Sequence, residues 1–126
     1  MILGIGTDIV SIERFTSDRT HMDRLANKIL TDYELEEYKG LKDFHASYLA
    51  KKWAAKEAIS KAFGTGISGD TKWKSIEIRH NQAGRPLVCF YNNLKDSVET
   101  LNARCHLSIS DTNDTVVAYS IVEYSV

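Results

Sequence analysis

Over 126 residues the chain is 43% hydrophobic and 26% charged and carries a formal net charge of −1, the size and make-up of one compact domain, 1–126, with no room for a second. No apolar run approaches the roughly 18 residues a membrane helix needs, and MILGIGTDIV lacks the basic lead and long apolar core of an export signal. Near-neutral charge excludes the broad electrostatic pull of a nucleic-acid binder, so an anionic ligand must be met by locally placed cations.

Met1 to Val10 is expected to form a strand, with Leu3, Ile5 and Ile9 pointing one way and Gly4, Gly6 and Asp8 the other. Ser11 is placed to cap a short helix through Ile12 and Phe15; a polar stretch from Thr16 to Asp23 and a brief helical patch from Leu25 to Leu30 follow. Thr31 and Glu34 have capping-box spacing, and Leu30 and Leu35 occupy the staple positions, so a helix starts at Thr31 and stops before Gly40. From about Asp43 the proline-free, Ala- and Lys-rich segment DFHASYLAKKWAAKEAISKAFG predicts the longest helix, stopping at Gly64.

After the glycine-bearing loop TGISGDT, Lys74, Ile76 and Ile78 alternate with Ser75, Glu77 and Arg79 as in a half-buried strand, and Asn81 to Pro86 makes a turn. Leu87 to Tyr91 reads as a strand, and Leu94, Val98 and Leu101 mark a helix face. Cys105, Leu107 and Ile109 then alternate with His106, Ser108 and Ser110, and a turn at Thr112 to Thr115 precedes a last strand, Val116 to Val122. Because helices and strands are mixed without the regular alternation of a doubly wound sheet, the fold class is α+β. Cys89 and Cys105 sit in apolar strand-like runs, as small buried hydrophobes rather than disulfide partners, which fits a reducing cytoplasm.

On the long helix, Phe44, Tyr48, Ala55, Ile59 and Ala62 share an arc expected to pack on the sheet. The other arc carries Ala46, Ala50, Trp53, Ala54, Glu57, Lys61 and Gly64, an acid and a base one turn apart on a floor of small residues with room for a ligand. Spacing alone also describes a solvent-exposed Glu57–Lys61 pair, Asp8 as an ordinary strand-end carboxylate, and His106 as part of an exposed sheet face.

GIGTDI near the N-terminus, WAAKEAISKAFGTGI in the middle and HLSIS near the C-terminus resemble, in order and spacing, the holo-acyl-carrier-protein synthases, short members of the 4′-phosphopantetheinyl transferase family. LANKILTDYE and NQAGRPL look like the segments between those blocks, so the resemblance spans nearly the whole chain. It implies transfer of 4′-phosphopantetheine from coenzyme A to a serine of apo-acyl carrier protein, giving adenosine 3′,5′-bisphosphate, in a fold with a long helix on a small, mainly antiparallel sheet.

Asp8 and Glu57 would then be catalytic Mg2+ ligands, a chemistry suited to two carboxylates completed by water and phosphate oxygens. Lys61, Gly64 and Gly66 would contact coenzyme A, Arg14 would meet the acidic carrier protein, and a homotrimer would bring His106 and Ser108 to a neighbour's coenzyme A. Neither nucleic acid nor membrane is an expected partner. Many relatives carry histidine where this chain has Asp111, which puts a negative charge near a phosphate-handling region, with a solvent-facing turn as the plain alternative. Two other functions fit less well: a transferase serving polyketide or peptide synthetase carriers, whose larger members resemble two copies of this domain in one chain, and a noncatalytic binding domain.

Overall fold

A computed structural model describes residues 1–125. In chain order the elements are β1 (Ile2–Ser11), a 3₁₀ turn (Ile12–Phe15), α1 (Arg19–Ile29), α2 (Asp32–Lys39), α3 (His45–Ala62), a second 3₁₀ turn (Trp73–Ser75), β2 (Ile76–His80), β3 (Pro86–Phe90), α4 (Asn92–Thr100), β4 (Arg104–Asp111) and β5 (Thr115–Glu123). The expected α+β class holds. One antiparallel sheet has the order β1-β5-β4, and β2 and β3 form a separate antiparallel hairpin. First and last strands lie side by side, with Ile5 opposite Ile121 and Ile9 opposite Val117.

Helix α3 is wedged between the two sheets and buried on most sides, although it carries four lysines and a glutamate. Ala50, Ala54 and Ala58 pack with Val10, Val116 and Ala118 toward the three-stranded sheet. Ala55 and Ile59 face the other way, against Ile76, Ile78 and Leu94. This corrects the expected arcs. The alanine floor is not ligand space: its small side chains let the helix approach the sheet closely. Phe44, expected in the core, is 78% exposed, because it precedes the helix in a left-handed conformation (φ 63°) that turns it outward.

The same close approach explains the glycines of GIGTDI. A Cβ at Gly4 would collide with the Ala62 carbonyl, and one at Gly6 with the Ala58 carbonyl. So β1 turns its glycine side to α3 and its branched side outward, with Ile5 and Ile9 58% and 68% exposed.

Around α2 both halves of the capping box form: the Glu34 amide donates to Thr31 Oγ1 at 3.3 Å, and the Thr31 amide to Glu34 Oε1 at 3.0 Å. The helical patch before it is longer than its sequence suggests. Asp18, in the stretch read as merely polar, caps α1 by accepting from the His21 amide at 2.9 Å.

Candidate functional site

Two elements bring the charged residues together. Asp8 leaves β1 on the side facing α3, two residues beyond Gly6, while Trp53, Glu57 and Lys61 stand one turn apart along one stripe of that helix. Lys61 Nζ donates to the Thr7 carbonyl at 3.0 Å and lies 3.4 Å from Asp8 Oδ1. Among the described residues Glu57 and Lys61 make no ion pair, so the lysine bridges to the strand rather than along its own helix.

Asp8 Oδ2 is buried, and among the described residues it has no hydrogen-bond partner. A buried carboxylate oxygen left unsatisfied is costly unless a ligand completes it. Nearby, the Glu57 carboxyl has its pKa raised, first by burial and then by the Asp8 charge, against the opposing pull of Lys61 and Arg14. Two carboxylates that repel each other, one with a vacant buried oxygen, fit a hard divalent cation. No cluster of three or more His, Cys, Asp or Glu side chains with metal-holding geometry occurs among the described residues, so protein ligands would number two.

Arg14, on the 3₁₀ turn that follows β1, brings its charge near enough to act on Glu57. Its guanidinium lies 5.0 Å from the centroid of the Trp53 ring, and Trp53 in turn lies 4.5 Å from Trp73. Sequence reasoning placed Arg14 toward a partner but missed its closeness to Glu57. The available signal was the short step from Asp8 through a tight turn.

Gly64 and Gly66 end α3 with φ of 81° and 64°, the left-handed conformation that glycine adopts freely. Their amides already donate, Gly64 to Lys61 O at 2.9 Å and Gly66 to Ser60 O at 3.1 Å. What the loop offers is therefore a surface without Cβ atoms, where a Cβ added at either position would meet nothing within 4 Å, rather than free N–H groups.

His106 and Ser108 do not join this cluster within one chain. On β4 they pair with Ile121 and Tyr119 and point to the face of the sheet opposite α3, with β5 between them and β1. His106 Nε2 lies 2.7 Å from Glu123 Oε2. Asp111, the last residue of β4, is exposed and pairs with Lys51 at 3.4 Å. A concavity of about 430 Å³ lined by Tyr33, Lys74, Glu77, Arg79 and Tyr91 lies apart from Asp8 and Glu57. Its guanidinium is already held by Glu77 at 2.7 Å, so convergent unsatisfied groups mark the site better than volume does.

A profile of the 4′-phosphopantetheinyl transferase superfamily matches residues 4–119, which takes in Asp8, Arg14, the whole of α3, both loop glycines, His106 and Ser108. The chain belongs to that superfamily. It is 40% identical over 126 residues to a holo-[acyl-carrier-protein] synthase of Dechloromonas aromatica, covering 99% of this chain and 100% of the relative. The crystal structure of the holo-[acyl-carrier-protein] synthase of Neisseria meningitidis superposes with a TM-score of 0.86 at 40% identity, covering 98% of this chain and 99% of that one. That of Bacillus anthracis, in complex with CoA (3′,5′-ADP), gives 0.83 at 35% identity over 99% of both chains. The matched span takes in the GIGTDI and KEA segments that carry Asp8 and Glu57. No helix among the described residues is long and apolar enough to cross a membrane.

Proposed function

We propose that the protein transfers the 4′-phosphopantetheine group of coenzyme A to a serine hydroxyl of apo-acyl carrier protein, releasing adenosine 3′,5′-bisphosphate, with Mg2+ as cofactor. The observation that carries this reading is the unsatisfied buried Asp8 Oδ2 beside Glu57 and Lys61, in a chain matched to transferases along its length. Relatives described as holo-[acyl-carrier-protein] synthases, one solved with CoA (3′,5′-ADP) and another with coenzyme A, support the donor and the acceptor.

Asp8 and Glu57 are the residues that would hold the metal. The chemistry a divalent cation would supply there is neutralisation of charge on the pyrophosphate oxygens. Lys61, half-exposed beside Asp8, adds a point charge for a phosphate oxygen. Glu57 is the chain's own candidate to accept the serine proton. Arg14, exposed and close to Glu57, is available to an acidic partner surface. The position of His106 and Ser108 on the outward face supports a homotrimer in which they serve a neighbour's coenzyme A, since in their own chain the sheet separates them from Asp8.

Incubation with coenzyme A, Mg2+ and a panel of apo carrier proteins tests this reading. A mass gain of one phosphopantetheine on the serine of a fatty-acid carrier is expected, and none in EDTA. Modification of only peptide- or polyketide-synthetase carriers would reassign the acceptor. No modification of any carrier, with coenzyme A still bound, would leave a binding domain.

A further inference from the structure

We propose that Trp53 is a positioning residue, holding the exposed Arg14 guanidinium over its ring face and open to a carboxylate of the acidic carrier. The proposal rests on the Arg14 contact described under Proposed function and supplies what that contact needs, a fixed cation.

An arginine side chain on a surface turn carries about 2 kcal/mol of rotamer entropy, which an incoming acid must overcome unless the chain is already oriented. Asp8 and Glu57 present a competing danger: a free guanidinium within their field would fold down onto them. Neither has happened. Among the described residues Arg14 makes no ion pair with a carboxylate, although its charge reaches Glu57. Its guanidinium instead lies over the Trp53 face, 5.0 Å from the centroid, and 5.8 Å from that of Phe15.

Trp53 is itself held from two sides. Phe15, buried in the core, meets it edge-on at 5.7 Å, and Trp73, at the far end of the glycine-bearing loop, stacks at 4.5 Å and 35°. The α3 backbone fixes its root one turn before Glu57. Cation–π contact leaves the edge of the guanidinium, where its N–H groups lie, open to solvent and to a planar acid. The stack thus orients the cation without consuming its donors.

The test is a double-mutant cycle on the KM for apo carrier, with thermal melting as the fold control. Arg14→Ala should raise that KM about ten-fold, and Trp53→Leu about five-fold. Trp53→Phe, which keeps an aromatic face, should restore it to within about two-fold of the parent. In an Arg14→Ala background Trp53→Leu should add little, and the KM for coenzyme A should stay unmoved throughout. The chain's two tryptophans both lie in the stack, so titration with carrier should also change intrinsic emission, and Arg14→Ala should diminish that change. Normal carrier KM in Arg14→Ala would sink the Arg14 contact and the proposal with it. Weakening by Arg14→Ala but not by Trp53→Leu, or fully additive effects in the double variant, would overturn the positioning role alone.

Discussion

Adding one methyl at Gly6 places carbon against the Ala58 carbonyl oxygen and within 2.8 Å of the Ala62 amide nitrogen, and helix backbone cannot swing aside as a side chain would. Gly6→Ala should therefore cost about 1–3 kcal/mol as overpacking and displace Asp8 from α3, visible as a lower melting temperature together with lost turnover. Asp8→Ala and Glu57→Ala should separate those two effects. Each should cut turnover by about 100-fold or more, as removal of transition-state charge stabilisation does, while melting stays close to the parent. Near-normal rates in either variant would remove that residue from the site. A fourth residue reports on burial: Cys105 has its thiol pKa pushed up to about 11 by burial, against the Ser120 hydrogen bond. At pH 8 about one molecule in a thousand carries the thiolate, so iodoacetamide should label Cys105 slowly in the native state and rapidly after unfolding, by peptide mass mapping. Of the candidate site, the shared stripe of Glu57 and Lys61 was legible from helical spacing, and the roles proposed for them and for Asp8 only from the family resemblance. What the glycines do was not, because clearance between a strand and a helix is set by tertiary packing that no local pattern encodes.

At the scale of the element, α3 carries a feature that its sequence conceals. Lys56 lies in AAKEA, where a lysine normally reads as solvent-facing, yet it and Glu34 are both wholly buried. Lys56 Nζ donates to Glu34 Oε1 and to the Ile29 carbonyl at 2.6 Å each, and to the Trp73 carbonyl at 2.9 Å. Glu34 also accepts from the Ile78 amide at 2.7 Å, so one ion pair ties α1, α2, α3, the second 3₁₀ turn and β2. Burial pulls the ammonium below its ordinary pKa while Glu34 pushes back. Lys56→Met should cost about 3–5 kcal/mol, since it strands a buried carboxylate, and chemical denaturation would measure it. A loss below 1 kcal/mol would mean that water replaces the amine. The capping box was readable because its spacing is strictly local; the second task of Glu34, binding Lys56 and Ile78, depends on residues 22 and 44 positions away. The start of α1 escaped for the opposite reason, since its cap is local but its first turn is polar and exposed.

At the scale of the whole molecule, the outward face of the three-stranded sheet is the wrong way round for a lone domain. Ile5, Ile9, Val117 and Tyr119 stand 58%, 68%, 37% and 42% exposed on neighbouring strands, with His106 and Ser108 beside them. A contiguous apolar face rimmed by polar groups marks an interface, and the alternation in β1 was plain in the sequence. Its direction was not, because the glycine side claims α3 and leaves the branched side for a partner. If that partner is two further copies of the chain, light scattering should give three times the protomer mass. Ile9→Glu should then reduce the assembly to monomers with little change in the fold, Ile9 being mostly solvated in the single chain. Turnover should fall with the assembly, because in such a trimer His106 and Ser108 would reach a coenzyme A only across a subunit boundary, and the loss should be mostly in the KM for coenzyme A. Mixing Ile9→Glu monomers with intact Asp8→Ala subunits should restore little activity, since the charge bars the shared face. A parent protein that stays monomeric and fully active on dilution would assign His106 and Ser108 no place in the reaction.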